Sequence, residues 1–344
     1  MLQNERQEIN MTMDQLSENE HDVNGIVETN HFASEQRKTF TVEEESLAGE
    51  RIDKYLSGKL TDWSRSTIQK YIREGTVTVN QKPVKTGYKI SQRDVIELYL
   101  KPPVEPDILP ENIPLDILYE DDDIIVINKP KQMVVHPAPG HYSGTVVNAL
   151  LYHCKDSLSG INGIIRPGIV HRIDQDTTGA IVACKNDYAH QRIAAQLKEH
   201  SITRTYHAIV LHNLNEQQGT VEGAIGRHPT DRKKMAMNVK NGKPAVTHYQ
   251  VLNSLNHKLN YIECRLETGR THQIRVHMAG IGHPILGDTV YGPAKLPQQI
   301  CPWVLTGQTL HAKTLGFIHP RTNQYIEFDA PLPQYFVNIL SDLQ

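Results

Sequence analysis

The densest concentration of reactive side chains is the segment Arg166-Pro167-Gly168-Ile169-Val170-His171-Arg172-Ile173-Asp174-Gln175-Asp176-Thr177-Thr178-Gly179. Short polar residues stand here where a core strand would otherwise run straight into Ala180 to Cys184. A loop of this kind between two strands can present a carboxylate into a cleft, with Arg172, Thr177 and Thr178 placed to fix it by hydrogen bonds. A single Asp in such a segment reads first as a solvated turn closed by an Asx-type bond. Two further segments bear on that choice. Thr268-Gly269-Arg270-Thr271-His272-Gln273-Ile274-Arg275-Val276-His277 carries guanidiniums, and one of these, or Arg172, close to the carboxylate would keep it ionised. Tyr206 lies in an alternating run with Arg204 and Ala208 on the same face; a strand tyrosine of this sort ordinarily packs in a core. The 18 histidines include no HExxH, and His136 with His141 lacks helical ligand spacing, so no metal site is expected.

These segments need a framework. Strand-like runs at Ile124 to Ile127, Ile181 to Ala183, Tyr206 to Leu211, Tyr261 to Leu266 and Tyr325 to Phe328 alternate with fewer helices, notably one from about Asp187 to Glu199. Residues 116–344 therefore read as one α+β domain with a mostly antiparallel sheet flanked by helices. Upstream, Ile52, Tyr55, Leu56 and Leu60 recur at helical spacing, and Ser64 caps a second helix that Gly75 ends. Val77 and Val79 then alternate as a strand, Asn80-Gln81-Lys82 turns the chain, and a further β stretch reaches about Leu100. Residues 41–104 thus form a second, small unit. Five prolines between Lys101 and Pro114 mark 105–115 as an extended linker.

Composition narrows the function classes. The 344 residues are 38% hydrophobic and 22% charged, with a net charge of -3, as in an ordinary soluble protein of more than one folding unit. The average hides an acidic start, because residues 1–36 hold eight acids and one base, leaving 35 basic against 31 acidic side chains elsewhere. Residues 1–40 read as an acidic tail with too little apolar area to order. No apolar run nears the roughly 20 residues that span a bilayer, and no secretory leader is evident, so a cytoplasmic location without membrane partners is expected. Cys154, Cys184, Cys264 and Cys301 lie far apart with no CxxC pair and read as buried thiols.

Asp174-x-Asp176-x-Thr178 matches the DxDxT start of haloacid-dehalogenase phosphatases, but that family needs an unbroken hydrophobic strand before it and a later GDxxxD pair. Here His171-Arg172 interrupts the strand, and Gly287-Asp288 is followed by Gly292 in place of the second Asp. Several ordered segments together instead resemble the RluA family of RNA pseudouridine synthases, most closely the RluD-like members with an S4 domain, over about residues 47 to 344. The family's HRLDxxTSG is similar to His171 through Gly179. Tyr119-Glu120-Asp121, Asn128-Lys129-Pro130 and Val134-Val135-His136-Pro137 resemble its first motif, Thr205-Tyr206-His207-Ala208 its tyrosine strand, and Leu266 through His277 with His283 to Asp288 its TGRxHQIRVH segment. Gln132 stands where the family has Gly, which puts the turn after Pro130 in question, since Gln adopts a left-handed backbone at greater cost.

The resemblance implies an isomerase that breaks the N1–C1′ bond of uridine, turns the base and joins C5 to C1′. No group is gained or lost, so no cofactor is required. It places Asp174 as nucleophile, by attack at C1′ or through a glycal route. Arg270 is ranked first as the guanidinium beside it, ahead of Arg275 and Arg172, and Tyr206 would stack on the extruded uracil and help remove the C5 proton. Arg51-Ile52-Asp53-Lys54, Ser64 to Lys70 and Gly75 to Asn80 resemble an S4 domain, so Arg51, Arg65 and Lys70 are expected to hold RNA, as are Arg172 and Arg275 at the cleft. Arg227, Arg232, Lys233 and Lys234 form a second basic segment expected to clamp RNA near the active cleft. The implied protein is a monomer acting on structured RNA, ribosomal RNA of the large subunit above all. The reading from another class is a noncatalytic RNA-binding or ribosome-assembly factor on the same fold, against which Asp174, Tyr206 and Arg270 all being present is the argument.

Overall fold

The computed structural model describes residues 36–343 apart from 101–107, 139–140, 156, 164–165, 232, 257, 297 and 299. The expected tail up to residue 35, the first linker prolines and Arg232 lie outside the described residues. The chain divides into two units at Glu105/Pro106, each with its own core.

In the smaller unit, β1 (Gln36–Thr41) precedes two helices, α1 (Ile52–Lys59) and α2 (Arg65–Arg73), then β2 (Val77–Val79), β3 (Lys82–Pro83) and β4 (Val95–Leu100). The sheet runs β1-β4-β2-β3, antiparallel throughout. Ile52, Leu56, Ile68 and Ile72 project from the helices onto Val77, Val79, Ile96 and Leu98, all of them buried. Ser64 caps α2 by accepting the Thr67 N–H at 3.2 Å. Asn80 and Gln81 both take positive φ, 50° and 66°, which suits the tight turn between β2 and β3. The strand β1 corrects the tail boundary at 40. Its sequence, QRKTFT, is polar enough to read as tail, yet it adds to the free edge of β4 through main-chain pairing, and Phe40 packs on the core.

The larger unit comprises β5 (Ile117–Glu120), β6 (Ile124–Lys129), α3 (Val146–Cys154), β7 (Thr178–Cys184), α4 (Asp187–Lys198), β8 (Thr203–Leu211), β9 (Gln218–Glu222), β10 (Ile225–Arg227), β11 (Met235–Met237), β12 (Val246–Leu255), β13 (Leu259–Leu266), α5 (Gln273–Gly280), β14 (Leu310–Ile318), β15 (Tyr325–Asp329) and α6 (Gln334–Asp342). One sheet follows the order β5-β6-β7-β14-β8-β13-β12-β9, with β15 paired to β14, and β10–β11 stands apart as a hairpin. The only parallel pair among the described strands is β7 with β14, so the mostly antiparallel expectation holds. Alternation assigns the faces. Ile125, Ile127, Ile181, Tyr206, Ala208 and Ala312 point to α3 and α5, while Ile124, Val126, Val182 and Phe317 point to α4.

Two expectations need amendment here. Residues 108–115 do not act as a free spacer, because Ile108 is buried in the core beside α3 and the Leu109 carbonyl accepts from the Asn148 amide at 2.8 Å. From Ile108 on, an apolar side chain that is buried in the core fixes the chain in place. The turn after Pro130 survives the loss of glycine, with Gln132 itself at φ 66°.

Candidate active site

Asp174 sits on a turn that leads into β7, closed by the Thr177 N–H donating to the Asp174 carbonyl at 3.0 Å. The turn must pass close under β14. Gly179, at φ +108°, has the Ala312 backbone directly against its α-carbon, so any Cβ there would collide with it. The neighbouring Ile173 is buried and anchors the turn, leaving the Asp174 side chain 16% exposed at the floor of a cleft. Two adjoining cavities meet at this carboxylate. One is lined by Arg172, Tyr206, Arg270, His272 and Arg275, the other by His136, Asp176, Thr289 and Gln308, with Asp174 common to both.

The guanidinium that pairs with Asp174 belongs to Arg275, which corrects the ranking of Arg270 ahead of it. Arg275 Nη1 donates to Asp174 Oδ2 at 2.9 Å, while its Nε and Nη2 grip Asp288 at 2.7 and 3.0 Å. Arg275 is 5% exposed and lines both cavities of the cleft with its guanidinium engaged on the two carboxylates. Arg270, ranked first from motif position, lies in the loop before α5. Its Nε donates to the Pro244 carbonyl at 3.1 Å, and it lines the cleft without bonding Asp174. The difference is helical geometry: Arg275 lies in the first turn of α5 and points back at the turn bearing Asp174, whereas Arg270 precedes the helix.

Asp288 completes the pair. Burial pushes its carboxyl up, but the bonds from Arg275 and the N–H groups of Val290 and Tyr291 outweigh that and hold it below the usual carboxylate range. Burial works against the Arg275 charge too, and the two carboxylates overcome it, so the guanidinium is held more firmly protonated than usual. The Arg275 guanidinium also lies 5.1 Å from the ring centre of Tyr291. The opposite oxygen of Asp174 faces His272 Nε2 at 3.7 Å, beyond hydrogen-bond reach, and His272 Nδ1 is 2.7 Å from the Tyr291 hydroxyl. His272 adopts φ 57°, a left-handed backbone uncommon in a non-glycine residue, at the head of α5.

Tyr206 reaches the cleft from β8, its side chain largely buried and lining the cavity that holds Asp174. Burial raises its phenol above the ordinary value, with Arg204 opposing and Asp174 reinforcing, so it stays protonated at neutral pH. Arg204 lies beneath the loop before α5, donating to the Glu267 carbonyl at 3.3 Å, and Gly269 leaves the room that its guanidinium occupies.

Below the turn lies a residue to which sequence reasoning assigns no role. Lys129 ends β6, is fully buried, and donates to the carbonyls of Pro130, Met133 and Gln175 at 2.8, 2.8 and 2.9 Å. It thereby ties the Gln132 turn to the Asp174 turn. Burial pulls its ammonium down to about 7, against the pull of Asp176 and Asp174. The signal in the sequence is a lysine at the end of an otherwise apolar central strand. His171 is neutral for a visible reason: its Nε2 accepts the Val182 N–H at 3.0 Å, and burial lowers it to about 3.

The expected RNA-contacting residues fall into separate places. Arg172 is exposed at the cleft rim. Arg227 closes β10, and Lys233 and Lys234 occupy the β10–β11 turn; this hairpin is tied toward α5 through the Met235 N–H, which donates to the Tyr291 hydroxyl at 2.9 Å. In the smaller unit, Arg51 and Arg65 both fork onto the buried carboxylate of Asp53 at 3.0–3.1 Å, joined by Gln69. Each leaves its guanidinium about half exposed, and Lys70 stands more exposed beside Glu74. Among the described residues, the one group with metal-ligand spacing is Asp121, Asp123 and His319. Its atoms are already engaged: Asp121 accepts from the backbone of Asp123 and Ile124, Arg321 grips Asp123, and His319 Nδ1 accepts from two N–H groups. It is a pinned turn.

A carboxylate on a strand-entry turn, fixed by a buried arginine in a cleft shared with a tyrosine, is the kind of constellation that enzyme sites are built from. Residues 123–280 match the family model for RNA pseudouridylate synthase, and residues 50–96 match the S4 domain. An uncharacterized RNA pseudouridine synthase of Bacillus subtilis, YlyB, is 48% identical over 300 residues, which cover 87% of this chain and 96% of the relative. The ribosomal large subunit pseudouridine synthase D of Zymomonas mobilis is 46% identical, covering 84% and 92%. Among solved structures, human RNA pseudouridylate synthase domain containing 4 superposes with a TM-score of 0.52 at 26% identity over 66% of this chain and 92% of that one. The chain belongs to the RNA pseudouridine synthase family. It is an RNA uridine isomerase with an S4 RNA-binding domain, and among the described residues no helix is long and apolar enough to cross a membrane.

Proposed function

We propose that this enzyme isomerises specific uridines of large-subunit ribosomal RNA, acting as a cytoplasmic monomer, with Asp174 as its nucleophile. The relatives named for the ribosomal large subunit support the substrate class. The observation that carries the assignment of Asp174 is its bond to Arg275, itself locked on Asp288, which holds the carboxylate at the cleft floor. The reaction moves one proton in net terms, from C5 to N1, while the glycosidic bond passes from N1 to C5. Tyr206 lies where an extruded base would stack, and its hydroxyl, protonated at rest, would help clear the C5 proton as a relay, passing its own proton to solvent as it accepts that one. Arg270 and Arg172 line the same cleft and serve the substrate's backbone there. Arg51, Arg65, Lys70, Arg227, Lys233 and Lys234, with Arg232, hold the surrounding RNA.

The test is carbodiimide modification and primer extension on ribosomal RNA from cells with and without the protein, followed by the same assay with Asp174→Asn in vitro. The expected result is a pseudouridine-specific stop that is lost in the deletion strain, and an Asp174→Asn protein that binds RNA but forms no product. Multiple turnover by that variant would sink the assignment.

A further inference from the structure

The two reacting groups are Asp174, on the turn into β7, and Tyr206, on β8, and β7 and β8 do not pair with each other. β7 and β8 are both hydrogen-bonded to β14, which lies between them: His311 and Ala312 pair with Thr178 and Gly179 on one side, and Ala312 pairs with Tyr206 on the other. Backbone pairing to β7 covers only these two residues, so side chains must hold the rest of the turn. Gln308 Nε2 donates to Thr177 Oγ1 at 3.1 Å, and Gly307 lies against the Asp176 carboxylate. The shorter hydrogen bond is that of His311. Its ring is fully buried, with Nε2 3.1 Å from the Ala330 carbonyl and Nδ1 2.8 Å from Thr178 Oγ1.

A carbonyl only accepts, so Nε2 carries the proton. Burial lowers the imidazole to about 4, so the ring is neutral in the physiological range. Nδ1 is then a lone pair, and the Thr178 hydroxyl donates to it. Thr178 is 2% exposed and follows Asp174 by four residues, across the turn closed by the Thr177 N–H.

We propose that His311 is a positioning residue for the isomerisation, its imidazole clamping the Thr178 hydroxyl so that the turn bearing Asp174 keeps its distance from Tyr206. The proposal rests on Asp174 and Tyr206 being the reacting groups. The clamp touches neither substrate nor reacting atoms; it acts on rate through the placement of Asp174, where small displacements are expensive in rate.

Thr178→Val is nearly isosteric and deletes only the donor, whereas Thr178→Ser keeps it. Single-turnover rates at saturating RNA, RNA affinity and melting temperature should be measured for both, with His311→Ala where it folds. For Thr178→Val the saturated rate is expected to fall about tenfold, the loss of one buried hydrogen bond in the working geometry, with RNA affinity unchanged. Thr178→Ser should recover the wild-type rate, and Thr178→Val with His311→Ala should be no slower than either alone. A Thr178→Val enzyme that melts lower but turns over at the wild-type saturated rate would overturn the proposal, since the bond would then serve only the fold. So would a Thr178→Ser enzyme as slow as the valine variant. Turnover by Asp174→Asn would instead remove the reading on which the clamp depends, and the Thr178 series plays no part in that result.

Discussion

Arg275→Lys isolates the guanidinium's geometry from its charge. Arginine here spends three N–H groups on two carboxylates, Nη1 on Asp174 and the Nε/Nη2 edge on Asp288. An ammonium is a compact point charge that cannot reproduce this fork. Asp288 retains the N–H groups of Val290 and Tyr291, so the lysine is expected to settle there, and Asp174 loses its partner. A hydrogen bond to a charged group contributes roughly 1.5–3 kcal/mol, so if the bond is needed in the transition state the rate falls roughly 10- to 150-fold. The assay is tritium release from RNA labelled at uridine C5, with enzyme in excess and RNA saturating, because the C5 hydrogen leaves once per conversion. Arg270→Ala is the comparison: it should weaken RNA binding and leave the saturated rate within a few-fold, since its side chain bonds Pro244 and not Asp174. A full-rate Arg275→Lys enzyme, or an equal loss of saturated rate in Arg270→Ala, would refute the assignment.

Acid should destabilise the fold through its buried neutral histidines. His171 and His311 are lowered to about 3 and about 4 by burial, against roughly 6.5 in an unfolded chain. Folded-state values below the unfolded one mean that the unfolded chain binds more protons in the window from about 6.5 down to 4, so their contribution is intact above that window and is lost as pH falls through it. Denaturant melts at pH 7 and pH 5.5 should differ by about 1 kcal/mol for each, and His311→Ala, where it folds, should show a shallower pH slope; an unchanged slope would remove His311 from the account. Asp53→Asn tests the smaller unit: deleting a negative charge should by charge alone tighten RNA binding, but losing the anchor of Arg51 and Arg65 should weaken it. Filter binding of full-length protein to structured RNA decides, and tighter binding would show that Asp53 does not orient them. Arg65→Ala should flatten the salt dependence of that binding by roughly 0.7–0.9 in log–log slope, the change expected when one phosphate is no longer neutralised.

The elements that can be read in the sequence are those whose apolar residues alternate or repeat. β6, β7, β8, β13 and α4 all fall within a few residues of expectation, because β6 and β7 are apolar runs buried on both faces while β8, β13 and α4 keep a regular apolar spacing. α5 escapes such a reading because Gln273, Arg275 and His277 are buried along with Ile274, Val276 and Met278, which erases the amphipathic period. β1 escapes it because an edge strand is held by main-chain bonds and needs little apolar area. At the site, the segments bearing Asp174, Tyr206 and Arg270 are visible as motifs, whereas the choice between Arg270 and Arg275 depends on where α5 begins, which spacing alone does not reveal. Asp288 stands out in the sequence as a failed metal pair and as the end of a motif segment; its partner lies in another segment, so nothing local marks it as the anchor of Arg275.

The position of β14 also sets an order in time. Tyr206 and Asp174 are made early, but the strand that stands between their own strands comes from residues 310–318, near the end of the chain. Until that segment leaves the ribosome, β7 and β8 have no neighbour to bring them together, and pairing across more than a hundred residues is slow to form. The small unit at the front has its own core and does not wait for it. A nascent chain would therefore be able to hold RNA well before it could alter it, and an enzyme truncated ahead of Leu310 would be a binder without chemistry.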